Sequence, residues 1–383
     1  MPMVIIRRNP RVRRRKVLRA TFFFLFFAAV CFLVFLGLSF PKVFYRVIDQ
    51  ENVAVTGYRG KMSSITIRST FAGVPVTFID AQAFKNDVYL KSVKIGSTIQ
   101  WIDDEAFKGC VNLKTVELAE GLLDIYPSAF ADCVSLSAIA FPSTLASIHD
   151  DAFTGCTGLV SVTFSEGLEE IGERAFFGCS SISSLAFPAS LEGIYQNAFE
   201  GCTGLSALSF SASEDASYRI LDEAFKGCTG LVSATIPNSC MQIGEGVFSG
   251  CSSLVTLSLP FAGNAVWIST PDGLFGYVFG TEEYAGSVPA VQTTQYLGEV
   301  TNYLPATLRH VRLTGASMLV WGCFSGCDRL ETVTLNDTLY WIHPNAFLGC
   351  TNLTIRSHAA SLPPGWEATW NPSGCPVVFG VVD

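Results

Sequence analysis

A fixed period constrains this chain more than any other feature. Ten phenylalanines, Phe84, Phe107, Phe130, Phe153, Phe176, Phe199, Phe225, Phe248, Phe324 and Phe347, stand 23 residues apart five times, then 26, 23, 76 and 23. Nine of the 13 cysteines keep the same ruler: Cys110, Cys133, Cys156, Cys179, Cys202, Cys228, Cys251, Cys327 and Cys350. An isoleucine precedes nearly every one of these phenylalanines by a constant interval, at Ile79, Ile102, Ile125, Ile148, Ile171, Ile194, Ile220, Ile243 and Ile342. Between them Leu113, Val116 and Leu118 are echoed by Leu136, Ile139 and Phe141 and by Leu159, Val162 and Phe164, the last two alternating as in a strand with one buried face. Each repeat thus predicts one strand, a return turn, and a short segment carrying Ile and Phe inward.

A single 23-residue unit cannot bury so many apolar groups, but stacked units bury them as a continuous column. The expected fold is therefore a leucine-rich-repeat solenoid, rich in β-strand with short helical turns, in a curved right-handed array. With strands about 4.8 Å apart, ten or so coils would extend on the order of 50 Å. Glycine before cysteine suits a tight bend, and cysteine serves as a small buried hydrophobe.

The first 40 residues hold Arg7, Arg8, Arg11, Arg13, Arg14, Arg15, Lys16 and Arg19 and no acid. An uncharged run follows at residues 22–40. As a helix it would span about 28 Å, close to a hydrocarbon core of about 30 Å. The positive-inside rule places residues 1–21 in the cytoplasm and the body outside, which makes this a single-pass membrane protein. A cleaved secretory signal is the competing reading, although Gly37-Leu38-Ser39-Phe40-Pro41 is a poor cleavage site. In either case the body leaves the cytoplasm. Beyond residue 40 the formal charge is −16, which excludes nucleic acid as a partner of the body. A linker is expected at 41–52, a capping coil at 53–84 and repeats at 85–260. An insertion loop should follow at 261–307, then repeats at 308–355 and a cap at 356–383.

The unit resembles the BspA-like leucine-rich repeat of bacterial and some protist surface proteins. Thr56-Gly-Tyr58 and Gly73-Val-Pro75-Val76 resemble that family's opening coil. Pro260-Phe261-Ala-Gly263 with Leu274-Phe-Gly-Tyr277, and later Leu308-Arg-His-Val311, resemble its mid-array insertion. Gly365-Trp366, Trp370-Asn371 and Cys375-Pro-Val377 resemble its terminal cap. The resemblance implies surface display and binding of host or neighbouring-cell proteins, without catalysis.

The residues themselves offer no catalytic set and no cofactor site. His149, His310, His343 and His358 are the only histidines, and His149 and His343 stand too many coils apart to share a metal. Phosphate-cradling loops, zinc signatures and nucleophile elbows are all missing. Acids two places after the column isoleucine, at Asp104, Asp150, Glu173, Asp222 and Glu245, would form a negative stripe; a solvated face and a calcium site are its two readings. The evenly spaced cysteines read as reduced core thiols. Any disulfide should involve Cys240, Cys323 or Cys375, which stand outside the ladder.

Candidate partner contacts are outward strand positions and the insertion. The central strand face is almost wholly small and uncharged, with Ser161, Thr163, Ser233, Thr235, Thr256 and Ser258 as its polar members. Two readings stand: small β-tolerant residues that suit a crowded sheet, and a low-relief surface for another chain or a glycan. The insertion contributes Trp267, Tyr277 and Tyr284, and the strand after it Arg309, His310 and Arg312. A long insertion in a regular array is either functional or a spacer. Two functions follow: a surface module binding an extracellular protein or glycan, or a self-associating structural component.

Overall fold

The alternation within each repeat becomes two parallel ladders. The computed structural model describes residues 43–211, 217–264, 271–294, 298–366 and 369–382. Met1–Phe44 with Tyr58–Gly60 form one unit, and Tyr45–Gly57 with Lys61–Asp383 form the repeat body described below. Residues 1–21 and 22–40, the expected tail and span, lie outside the described residues. Among those that are described, no helix is long and apolar enough to cross a membrane.

On the first face the strands Ser64–Ile67, Ser92–Ile95, Thr115–Glu117, Ala138–Ala140 and Ser161–Thr163 pair in parallel. Ser184–Phe187 pairs with Ala207–Phe210. The ladder then runs through Ser233–Thr235, Thr256–Leu259, His310–Leu313, Thr332–Leu335, Thr354–Ser357 and Val377–Val378. Register is residue for residue, as in Ala138 opposite Ser161 and Ile139 opposite Val162, because each repeat returns the chain by the same length. On the second face two-residue strands such as Trp101–Ile102, Asp124–Ile125 and Ser147–Ile148 stack their isoleucines in register. Ile102, Ile125 and Ile171 are fully buried.

Between the faces lies a corner held by three backbone bonds per coil. The N–H groups of Glu105, Phe107 and Gly109 donate to the carbonyls of Pro127, Ala129 and Ala131 at 3.0, 2.7 and 2.8 Å, and the same triplet recurs along the array. Phenylalanine rings stack above it: Phe107 to Phe130 at 5.0 Å, Phe130 to Phe153 at 5.2 Å and Phe153 to Phe176 at 5.1 Å, within 6° of parallel. The predicted short helical turns are not helices. From Phe84 to Phe324 the residues two before and two after each column phenylalanine adopt left-handed backbone, as at Ser128 (φ 56) and Asp132 (φ 60), which ends any right-handed helix within a turn. Only Pro271–Gly273 and Phe275–Phe279 are 3-10 helices, and no α-helix occurs among the described residues.

Cysteine has a second role that spacing does not reveal. Each S–H of Cys110, Cys133, Cys156 and Cys179 donates to the phenylalanine carbonyl of the preceding coil, at 3.1, 3.3, 3.2 and 3.2 Å. A small apolar residue would fill the space but leave that acceptor with one partner fewer. All described cysteines are free and buried, Cys240, Cys323 and Cys375 included. Contrary to expectation, Cys375 joins the ladder, donating to the Cys350 carbonyl at 3.1 Å, because the cap continues the stack.

Two other stretches differ from their sequence reading. Residues 41–52 are not a plain linker: the strand Val43–Val47 occurs there, and within the repeat body Arg46 grips both Asp80 oxygens at 2.7 and 2.8 Å. Tyr45 also stacks on Phe71 at 4.4 Å, so an ion pair and a ring contact tie Tyr45 and Arg46 to the first coil. The insertion is not a loop. It carries an antiparallel hairpin of Ser287–Thr294 and Gly298–Pro305, paired along its length.

Burial pushes the Cys202 and Cys251 thiols up to about 12, and those of Cys133, Cys156 and Cys228 well above the ordinary value. An unfolded chain ionises its thiols near 8.5. Above that pH the folded state therefore holds the extra protons, and the column's contribution, complete below it, is lost as pH rises toward 12. Each thiol should add up to about 1.4 kcal/mol per pH unit to the fall. The urea midpoint should drop between pH 8 and pH 10, and less steeply in a Cys133→Ala/Cys156→Ala variant. Equal midpoints at the two pH values would contradict a protonated column.

Candidate binding surface

The outward positions of the first-face strands form two straight rows. Ser161 and Thr163 are exposed, opposite Ala138 and Ala140. Ser233 and Thr235 are exposed, with Thr256 and Ser258 opposite them on the next strand. The whole insertion leaves the array between Thr256–Leu259 and His310–Leu313, yet these strands still pair directly, so Thr256 faces His310 and Ser258 faces Arg312. Six of the expected residues therefore make one contiguous patch. Ser161 and Thr163 stand apart from it, with the strands Ser184–Phe187 and Ala207–Phe210 between.

Within that patch His310 Nδ1 lies 2.9 Å from Thr332 Oγ1. Arg312 faces Thr334, and Thr334 in turn faces Arg356 on the strand Thr354–Ser357. Arg356 is exposed and escaped the sequence reading. Its signal is the same alternation carried one coil further, masked because Leu353 precedes Ile355 by one residue fewer than in the other repeats.

Arg309, by contrast, is withdrawn from the candidate contacts. Its Nη1 donates to the carbonyls of Ala306 and Leu308 at 2.8 and 2.9 Å, and its Nε lies 3.3 Å from Glu331. The side chain pins the exit of the insertion, since it precedes the strand and turns back toward the chain that feeds it.

Tyr277 and Tyr284 are also anchors within the array. The Tyr277 carbonyl accepts the Gly246 N–H at 2.9 Å and its hydroxyl accepts from Asn264 at 3.2 Å. Burial raises the pKa of both phenols. Trp267 lies outside the described residues. The 3-10 helix Phe275–Phe279 completes the column across the 76-residue gap. Phe248 N–H donates to the Val278 carbonyl at 2.8 Å, Phe275 N–H to the Cys323 carbonyl at 2.9 Å, and Phe275 stacks on Phe324 at 4.8 Å. Removing residues 264–307 would thus remove core.

The hairpin is seated by one fully buried amide. Gln292 Oε1 accepts from Gly276 N–H at 2.8 Å and from Asn302 Nδ2 at 3.0 Å, while its Nε2 donates to the Cys323 carbonyl at 2.6 Å. The backbone comes so close that a Cβ on Gly322 would strike the Thr293 carbonyl. A cavity of about 230 Å³ remains beneath the hairpin, lined by Val288, Ala290, Leu304, Leu308 and Leu330 with Arg329 at its rim.

On the second face the acidic stripe is partly structural. Asp150 and Asp222 accept the backbone N–H of Glu173 and Glu245 at 2.9 and 2.8 Å. Burial and neighbouring acids raise the pKa values of Asp104 and Glu245. Among the described residues no three His, Cys, Asp or Glu side chains converge on a metal position. His149 stacks on Tyr126 at 4.9 Å and His343 lies against Trp321 at 4.5 Å, each within its own coils.

Residues 77–206, 206–266 and 313–362 match, in six copies, the family described as BspA type leucine rich repeat region. Among solved structures, the T. pallidum leucine rich repeat protein is 32% identical, covers 50% of this chain and 90% of its own, and has a TM-score of 0.47. A leucine-rich repeat protein from Bacteroides ovatus is 20% identical over 89% of this chain and 90% of its own, with a TM-score of 0.48. A leucine rich cell surface protein from Faecalibacterium prausnitzii is 22% identical over 90% and 98%, with a TM-score of 0.39. No curated protein matches the chain.

Replacing Gln292 by Leu should strand Gly276 N–H, the Asn302 amide and the Cys323 carbonyl in the interior. A loss on the order of 3 kcal/mol is expected, with protease cutting first in the hairpin. The exposed neighbour change Val291→Thr should leave the urea midpoint unchanged. A Gln292→Leu midpoint equal to wild type would show that the hairpin is held by other contacts.

Proposed function

Because this chain belongs to the BspA-type leucine-rich-repeat family, we propose that it is a membrane-anchored cell-surface protein whose solenoid binds an extracellular protein or glycan and catalyses no reaction. Residues 22–40 would be the anchor, with residues 1–21 cytoplasmic and the repeats outside the cell. The first strand face carries this reading. Its interior strands have their backbone groups paired in register, and its outward positions are mostly hydroxyl or methyl, a surface that another chain can approach closely. It lacks the aromatic anchors that concentrate binding energy, so contacts along its centre should be broad and individually weak. Support against catalysis comes from the chemistry of the described groups: His149 and His343 are engaged with neighbours in separate coils, and the described cysteines are buried.

The test is binding of the full chain in detergent to an immobilised panel of extracellular-matrix proteins and glycans. A Thr163→Glu/Thr235→Glu variant should bind its partner at least tenfold more weakly while unfolding at the same urea concentration, since both side chains are solvent-exposed. Unchanged affinity in that variant would remove the strand face from the site. Absence of any partner, with concentration-dependent oligomers in the same buffer, would replace the binding module with the self-associating structural component.

A further inference from the structure

Resting on the strand face as the binding surface, we infer that its carboxyl-terminal end, built by Arg312, Arg356 and His310, takes an acidic polysaccharide. The first observation is a segregation of charge. Beyond residue 40 the chain carries −16, yet on the outward positions of the first-face strands from Ser64–Ile67 to Thr354–Ser357 the only acid is Glu117, and Lys94 holds it at 2.9 Å. The acids are elsewhere, many along the second face, where Asp103, Asp104, Asp124, Asp150, Glu170 and Glu173 stand. The remaining charge of the strand face is positive and gathered at one end.

The second observation is the arrangement of that end. Arg312 and Arg356 stand on either side of Thr334 in one row, two strand spacings or roughly 10 Å apart. In the parallel row His310 stands between Thr256 and Thr332. The outward neighbours of the two arginines are the hydroxyl residues Ser258, Thr334 and Thr354, with His310 beside Arg312 and Val378 opposite Arg356. Glu331, the acid next to Thr332, lies 3.3 Å from Arg309. Guanidinium groups bind carboxylate and sulfate in a two-point fashion, and hydroxyls between them suit a polyhydroxylated chain.

The choice of a glycan over an acidic peptide follows from what the face lacks. Extended peptides add to a sheet edge or insert an apolar anchor into a pocket. Here the strands that carry the arginines are interior and paired on both sides. No outward side chain is Phe, Tyr or Trp, and until Val378 at the terminal strand none of the apolar ones is larger than alanine. Hydroxyl and guanidinium groups along straight rows remain, and they match the oxygens of an acidic sugar chain.

The experiment measures binding of the full chain in detergent to heparin, to polygalacturonate, to neutral dextran and to poly-glutamate at several salt concentrations. Two variants with the same change in net charge are compared, R312E/R356E and K91E/K114E, both carrying the basic amino-terminal tail. The expected result is salt-sensitive retention on heparin or polygalacturonate and not on dextran, weakened at least tenfold in R312E/R356E relative to K91E/K114E. Retention on heparin alone would identify sulfate as the group read; retention on both would identify negative charge of either kind. Equal weakening in the two variants, or none, overturns the inference as non-specific attraction. Poly-glutamate bound as tightly, with the same dependence on the two arginines, overturns the glycan and leaves a peptide-binding surface. A matrix protein bound with no dependence on Arg312 or Arg356 overturns it while the surface-binding role stands.

Discussion

Everything in this molecule depends on a corner that repeats. Three backbone N–H groups per coil reach the next coil's carbonyls, a phenylalanine ring stacks on its neighbour about 5 Å away, and a cysteine S–H closes the phenylalanine carbonyl behind it. A strand ladder alone would bind the coils on one face and leave the return segment unsupported. The corner supplies the second attachment, so neighbouring coils meet at fixed spacing on both sides. The left-handed residues on either side of each phenylalanine are the local cost, of order 1 kcal/mol each for non-glycine residues such as Ser128 and Arg174. It is offset because that backbone turns three donors per coil toward the next one.

The insertion shows how strictly the stack must be continued. Between Phe248 and Phe324 the spacing rule fails, and a backbone bond from Phe248 N–H to the Val278 carbonyl carries the stack across. Phe279 and Phe275 enter it from a 3-10 helix and hand it on to Phe324. Cys327 is the one ladder member whose sulfur approaches its own coil, 3.8 Å from the Ser325 carbonyl, where the preceding corner has been rebuilt. A hairpin that buries polar groups on its inner side is tolerated because Gln292 satisfies two neighbours and a corner carbonyl at once. Half-satisfied, the same amide would be more damaging than an apolar residue.

The stack leaves one surface free to vary. Core positions are fixed by the repeat, and the backbone of the strand face is consumed by pairing, so only the outward side chains vary between coils. Their variation is not uniform: hydroxyls and methyls fill the centre, one ion pair sits near the start, and cations collect near the end. The acids on the second face serve the fold in part, since Asp150 and Asp222 each cap a backbone N–H of the following coil. Acid on one face and cation on the other is how an acidic protein can still offer a basic surface.

Sequence alone determined the periodic part: the solenoid, the family, the buried Phe, Ile and Cys columns and the outward rows. These depend on local alternation and a constant return length, and both are written into the order of residues. Tertiary structure decided the rest. Whether Arg309 faces a partner or its own chain, whether Tyr277 and Tyr284 are exposed, and which aromatic residues bridge the broken period all depend on contacts between distant coils. Arg356 came into one row with Arg312, across Thr334, only when a shortened repeat was brought into register. Periodicity specifies the positions that repeat, whereas a site made where the repeat is interrupted has no template in the chain and is defined by packing.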